Sequence, residues 1–341
     1  MKESILFGTY TKKTSTGIHR AQLDTIEKKV TDAIPYIKVE NPTYLTKSDK
    51  NILYTVSKRS ELGGLSAFDV TTDNPLFLND VSAEGAPPAY VAVDNARQLV
   101  YSSNYHKGLI SISKIQADGS LSLISETANE GHGLKPEQTS SHIHFTDLTP
   151  DNRLVVCDLG TDQLLTFDVS DDGAIKQVAE YRSAPGFGSR HIVFHKNGKL
   201  AYLAGELSSE VTLLSYDQID GSFKEIQTLS SIPSDWDAHN GIAAIRISKD
   251  SRFLYVSNRG HNSIACYALD NDGKMALIQL IPTEGDFPRD FSLNKSEEFL
   301  VVANQNTDNA SLFERDSTSG KLTLLQKDIS VPESVCVYFE N

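Results

Sequence analysis

Cysteine, methionine and tryptophan are scarce in this chain: three, two and one among 341 residues. The cysteines, Cys157, Cys266 and Cys336, are odd in number, far apart and without any Cys-x-x-Cys pair, which argues against a disulfide framework and a cysteine zinc site. Reduced, buried thiols are expected. No run of about 18 consecutive apolar residues occurs, so no membrane-spanning helix is expected. The opening MKESILFGTY carries Glu3 and only a short apolar run, unlike a secretory signal; a cytoplasmic location is expected. Basic runs are missing as well. Lys and Arg number 32 against 45 Asp and Glu, a formal charge of −13, which speaks against nucleic acid and anionic membranes as partners. Nor is there a GxSxG elbow, an HExxH pair, a phosphate loop GxxxxGK[ST], or a GxGxxG between a strand and a helix. Long 3.6-residue periodicity is absent, which excludes the helical repeat families.

What is present is a short pattern that recurs: a polar turn, an apolar pair with an aromatic, then a small or polar end. It reads ILYTVSK at 52–58, LVYSSNY at 99–105, LAYLAGE at 200–206 and FLYVSNRG at 253–260, with weaker copies ILFGTYT at 5–11, LVVCDLG at 154–160 and FLVVANQ at 299–305. The anchors Phe7, Tyr54, Tyr101, Val155, Tyr202, Tyr255 and Val301 are spaced by roughly 46 to 54 residues, the period of propeller blades and similar arrays. Each repeat reads as four short strands. Asp118-Gly119, Asp172-Gly173, Asp220-Gly221, Asp272-Gly273 and Ser319-Gly320 punctuate five repeats as hairpin turns, while the first two repeats use longer polar loops. Seven four-stranded antiparallel units predict an all-β, seven-bladed β-propeller, one domain over residues 1–341. The chain starts at an anchor strand and ends on an unpaired apolar segment, SVCVYF at 334–339. That segment is expected to complete the first blade and close the ring, removing exposed edges.

In such a fold, residues leading into the first strand of a blade and those leaving its second strand share one face. The former are Thr43, Ala89, His144, Arg190, Ala243, Arg289 and Glu333; the latter are Thr11, Lys58, Tyr105, Leu159, Glu206, Arg259 and Gln305. Ionisable groups therefore crowd one end of the expected central channel. Two long connections, residues 126–141 and 233–241, the second holding Trp236, fall on the same face, where long loops usually serve binding.

The stretches SHIHFTDLTPDN (141–152), GSRHIVFHKNGKLAYLAGELSSEV (188–211), IRISKDSRFLYVSNRGHNSI (245–264) and FPRDFSLNKSEEFLVVANQ (287–305) resemble the seven-bladed propeller lactonases. That family includes bacterial cytosolic 6-phosphogluconolactonases and, more distantly, fungal carboxymuconate lactonising enzymes. The resemblance implies lactone chemistry with no cofactor and no metal. It carries the family's active-site pattern onto His144, Arg190, Glu206 and Arg259. The chain departs from the family at Ala244 and Arg246, where many members have an acidic residue and then His, and at Gly205, where Asn is more usual.

Lactone hydrolysis needs a base for water, donors for the developing oxyanion and an acid for the leaving alkoxide. A phosphorylated sugar adds a cationic grip, for which arginine is best suited. His144 or Glu206 is expected to be the base, with Arg190 and Arg259 on the oxyanion or the phosphate. The block of catalytic candidates is thus His144, Glu206, Arg190 and Arg259, and Arg289, His142 and Gln305 are expected to bind substrate. His142 and His144 form an HxH without a third ligand at suitable spacing, so no metal is expected. His191, His195 and His261 are expected to alternate away from the channel as packing or surface residues, and Asp290 to pair with Arg289. The expected substrate is 6-phosphoglucono-1,5-lactone, met by a monomer or weak homodimer. A muconate-type cycloisomerase, another sugar lactonase and a non-catalytic scaffold that binds a protein are the alternatives.

Overall fold

The computed structural model describes residues 1–340, and among them there is no helix. Alternation of apolar and polar residues over short runs, broken by Asp-Gly and Asn turns, leaves strands as the only regular element. They form seven antiparallel sheets among the described residues. The second sheet shows the plan: Leu45–Lys47, Ile52–Arg59, Leu62–Asp69 and Leu76–Glu84 follow one another across the sheet. The third to seventh sheets repeat it, starting from Tyr90–Asp94, Ile143–Leu148, Ser189–Phe194, Gly241–Ile247 and Pro288–Leu293. The first sheet is composite. Its innermost strand is the last of the chain, Ser334–Phe339, hydrogen-bonded to Lys2–Thr9 as expected. Its outer position is split between Lys29–Val30 and Ile34–Lys38, both on Gly17–Asp24. The turn before Lys29 is tight rather than the long loop expected, because Asp24 Oδ1 accepts the N–H groups of Ile26 and Glu27.

Two compact units emerge from the packing. One comprises Met1–Val39, Val193–Leu214 and Glu225–Asn341; the other comprises Glu40–Ile192 and Ser215–Lys224. In the first unit, Ile5, Phe7 and Val337 of the first sheet pack on Val301, Ala303 and Leu312 of the seventh. Tyr255, Ile264 and Cys266 pack on Leu300, Val302 and Phe313. In the second unit, Tyr54, Val56 and Leu65 meet Val91, Val100 and Leu121, and Tyr101, Ile110 and Ile112 meet Leu154, Val156 and Leu165. Each fully buried aliphatic or aromatic side chain in these layers contributes about 1.5–3 kcal/mol. All three cysteines are buried and free, as expected.

The recurring tyrosine and the recurring turn glycine prove to be partners. The Tyr54, Tyr202 and Tyr255 hydroxyls donate to the carbonyls of Gly119, Gly273 and Gly320, each in the following sheet. Gly320 has φ of 72°, and a Cβ there would lie 2.1 Å from the Phe253 ring, so only glycine fits. A second link was not legible in the sequence. The amides of Asn79, Gln227, Gln279 and Gln326 each bond both the N–H and the carbonyl of one residue in the next sheet's outer strand: Leu121, Met275, Leu322 and Val30.

Candidate active site

In the second unit, the strand Ile143–Leu148 begins with an irregularity. Ile143 lies opposite Asp158 and Phe145 opposite Cys157, so His144 is the extra residue of a bulge. A bulge breaks strict alternation and re-aims the side chain it carries. The segment before it is clasped by Asp158, whose carboxylate accepts from the N–H groups of His142, Gly160 and Thr161, the Ser141 hydroxyl and the Asn129 amide. Gln138 ties the long connection down by donating to the Leu159 carbonyl and to Asp162. His142 stacks on Tyr105, ring centroids 4.3 Å apart at 7°. Its Nδ1 lies 2.8 Å from the Tyr105 carbonyl, which can only accept, so that nitrogen carries the proton. His144 Nδ1 meets His191 Nε2 at 3.2 Å, and Arg190 Nη1 lies 3.4 Å from the same His191 nitrogen. His144, Arg190 and His191 are all buried.

In the first unit, Arg259 closes the strand Phe253–Arg259. Its Nη2 lies 2.8 Å from Glu206 Oε1 and donates to the Ile242 carbonyl, its Nε donates to the Gly241 carbonyl, and its guanidinium sits 5.1 Å from the Phe287 ring centre. Arg259 is buried and Glu206 partly exposed. Arg289 is another bulge residue, lying between Pro288 opposite Asn304 and Asp290 opposite Ala303. Its guanidinium lies 5.7 Å from the Tyr10 ring centre and donates to Gln305 Oε1 at 3.3 Å. Lys12 Nζ lies over the same ring at 4.2 Å. Two cations thus lie against one aromatic ring, and both are accessible. Trp236, 37% exposed, meets His261 edge-on at 4.7 Å.

Residues 4–339 match the family described as Lactonase, 7-bladed beta-propeller. The chain belongs to the seven-bladed β-propeller lactonases. The seven sheets, six of four strands and the first with its outer position split in two, are the blades of that fold. The 6-phosphogluconolactonase of Bacillus subtilis (strain 168) is 41% identical over 338 residues, 97% of each chain. A crystal structure of a Lactobacillus plantarum protein is 55% identical over 100% of both chains, with a TM-score of 0.99. The periplasmic gluconolactonase of Pseudomonas aeruginosa is 27% identical over 99% of each chain, with a TM-score of 0.92. Among the described residues no helix is long and apolar enough to cross a membrane.

The candidates transferred from the lactonase family fall into two groups, one in each unit. His142, His144 and Arg190 lie together in the second; Glu206 and Arg259 form an ion pair in the first, where Arg289 and Gln305 also meet. Two expectations fail. His191 is a buried packing residue, as expected, but it does not turn away from the site: it touches both His144 and Arg190. Asp290 does not pair with Arg289 but with Arg246, at 2.8 Å, and also accepts the Val337 N–H. Arg246 is one of the family departures, so the change has a structural use. His195 and His261 do serve local packing: His195 Nδ1 accepts the Asn197 N–H in a turn, and His261 lies against Trp236. Lys12 escaped notice because a lysine in a polar turn carries no signal until Tyr10 and Arg289 are seen beside it.

Proposed function

We propose that the protein hydrolyses 6-phosphoglucono-1,5-lactone to 6-phosphogluconate, as a cytoplasmic enzyme of the pentose phosphate route. Family membership supports lactone hydrolysis, and the name of the Bacillus subtilis relative supports the phosphorylated substrate. The observation that carries the mechanism is the buried contact of His144 with His191 beside the Arg190 guanidinium. A fixed cation nearby disfavours a second positive charge on an imidazole. In this reading His144 takes a proton from water as the water oxygen bonds to the lactone carbonyl carbon. Arg190 stabilises the oxyanion. When the tetrahedral carbon collapses, its bond to the ring oxygen breaks, and that oxygen leaves with the proton His144 had taken. The carboxylate of Glu206 is balanced by Arg259, which suits it to accepting sugar hydroxyls rather than a proton. Arg289 and Lys12 supply the grip on phosphate.

The test is acid release from purified protein in a pH-stat, measured against spontaneous opening of the same lactone. His144→Ala should lower kcat by roughly 10²–10⁴-fold. Arg289→Ala should raise KM for the phosphorylated lactone by roughly 10–100-fold while leaving that for glucono-1,5-lactone nearly unchanged. A rate equal to the spontaneous one sinks the enzyme. Equal efficiency on both lactones, with Arg289→Ala silent on each, would move the substrate to the unphosphorylated sugar, the reading that the Pseudomonas aeruginosa gluconolactonase favours.

A further inference from the structure

His191 transfers no proton in the chemistry above, yet its surroundings are specific. The ring is buried and boxed in by aromatic rings, with centroids 5.4 Å away for Tyr90, 5.2 Å for Phe145 and 6.4 Å for Tyr44. Tyr90 is held in turn by its hydroxyl, which donates to Asp147 at 3.2 Å. His191 Nε2 therefore faces two neighbours from a fixed ring: Arg190 Nη1 at 3.4 Å and His144 Nδ1 at 3.2 Å.

A guanidinium has donors and no acceptor. With Arg190 on one side, His191 Nε2 must present its lone pair, because a proton there would set N–H against N–H beside a cation. The same lone pair faces His144 Nδ1. That nitrogen must then carry the proton, which leaves the lone pair of His144 on Nε2. We propose that His191 is a positioning residue that fixes His144 in the tautomer with Nδ1 protonated and Nε2 basic. The inference rests on the reading of His144 as the base. In the reaction, Nε2 of His144 takes the proton from water as the water oxygen bonds to the carbonyl carbon. The Nδ1–H of the resulting imidazolium stays hydrogen-bonded to His191. Nε2 then returns its proton to the departing ring oxygen, so no proton crosses to His191. An imidazole with the other tautomer would have its lone pair on Nδ1, held against His191.

The test reads the tautomer directly, by two-bond ¹⁵N–¹H correlation spectra of the imidazoles in the whole, unliganded protein. His144 should show the Nδ1–H pattern in the wild type. His191→Phe keeps the aromatic bulk but removes the acceptor. In it His144 should shift to Nε2–H or a mixture, and kcat should fall by roughly a hundredfold with KM moving less than about threefold. His191→Gln returns an acceptor oxygen near the Nε2 position and should recover the Nδ1–H pattern and a large part of kcat. An unchanged His144 pattern and unchanged kcat in folded His191→Phe would overturn the proposal. Where His191→Phe fails to fold, His191→Gln decides alone: an Nε2–H pattern at His144 there overturns it. Wild-type turnover by His144→Ala would sink the base assignment itself, and the positioning role with it, whatever the spectra show.

Discussion

Asp147 shows how a single residue near the histidines pays for its place. Burial pushes its carboxyl up to about 6, against the Leu148 N–H and the Tyr90 hydroxyl, which pull it down, and with Asp94 adding repulsion. The folded protein therefore holds this proton more tightly than the unfolded chain does. Stability falls as pH rises from about 4 to about 6, and the full cost is present above that window. Asp147→Asn should raise the melting temperature at pH 7.5, the gain being at most about 3 kcal/mol, and should leave it nearly unchanged at pH 4. Scanning calorimetry at both pH values checks this; an equal shift at both would show that charge is not the cause. At this scale the sequence marks candidates where one residue type suits one job. His144 stood out in an HxH, and Arg259 and Glu206 stood out at the ends of anchor strands. It gives no such mark where backbone irregularity decides direction. Nothing in the letters around His144 or Arg289 marks a bulge.

Among the elements, the clasp at Glu333 joins distant parts of the first unit. The turn of residues 12–15 aims four successive N–H groups inward, and the Glu333 carboxylate accepts all of them at 2.7–3.1 Å. Successive amides curled in this way form an anion-binding hollow. The Glu333 N–H goes to Asp308, and its carbonyl accepts from Tyr10. Glu333 sits where a charged channel residue was expected; it is buried and satisfied by backbone. Removing it strands four donors. Glu333→Ala should lower stability by roughly 2–4 kcal/mol, and Glu333→Gln by less, because one acceptor oxygen survives. Urea denaturation midpoints measure both; an alanine variant at the wild-type midpoint would refute the clasp. Turn glycines were readable because a positive φ demands them. The Asn and Gln links between outer strands were not, because an amide on a polar strand looks the same whether it faces water or a neighbouring backbone.

For the molecule as a whole, the repeat of anchors, the short strands and the missing helical period were enough to read the fold. The final apolar segment was readable for the same reason: SVCVYF has no partner near it in sequence and so had to find one far away. Its pairing with Lys2–Thr9 gives a direct test. Deleting residues 334–341 strips the inner strand from the first sheet and bares the Lys2–Thr9 edge along with Phe7 and Ile5. The truncated protein should lose cooperative unfolding and aggregate, as judged by light scattering and thermal melts; a soluble, sharply melting truncation would contradict it.

The same pairing governs synthesis. More than three hundred residues separate Lys2–Thr9 from Ser334–Phe339, which at ordinary translation rates is roughly 15–65 s on the ribosome. Throughout that interval the earliest strand emerges with one flank unclaimed, in a crowd of other nascent chains. Chaperone shelter for the amino-terminal segment, or a delay in its docking until release, follows from the order in which the strands are made.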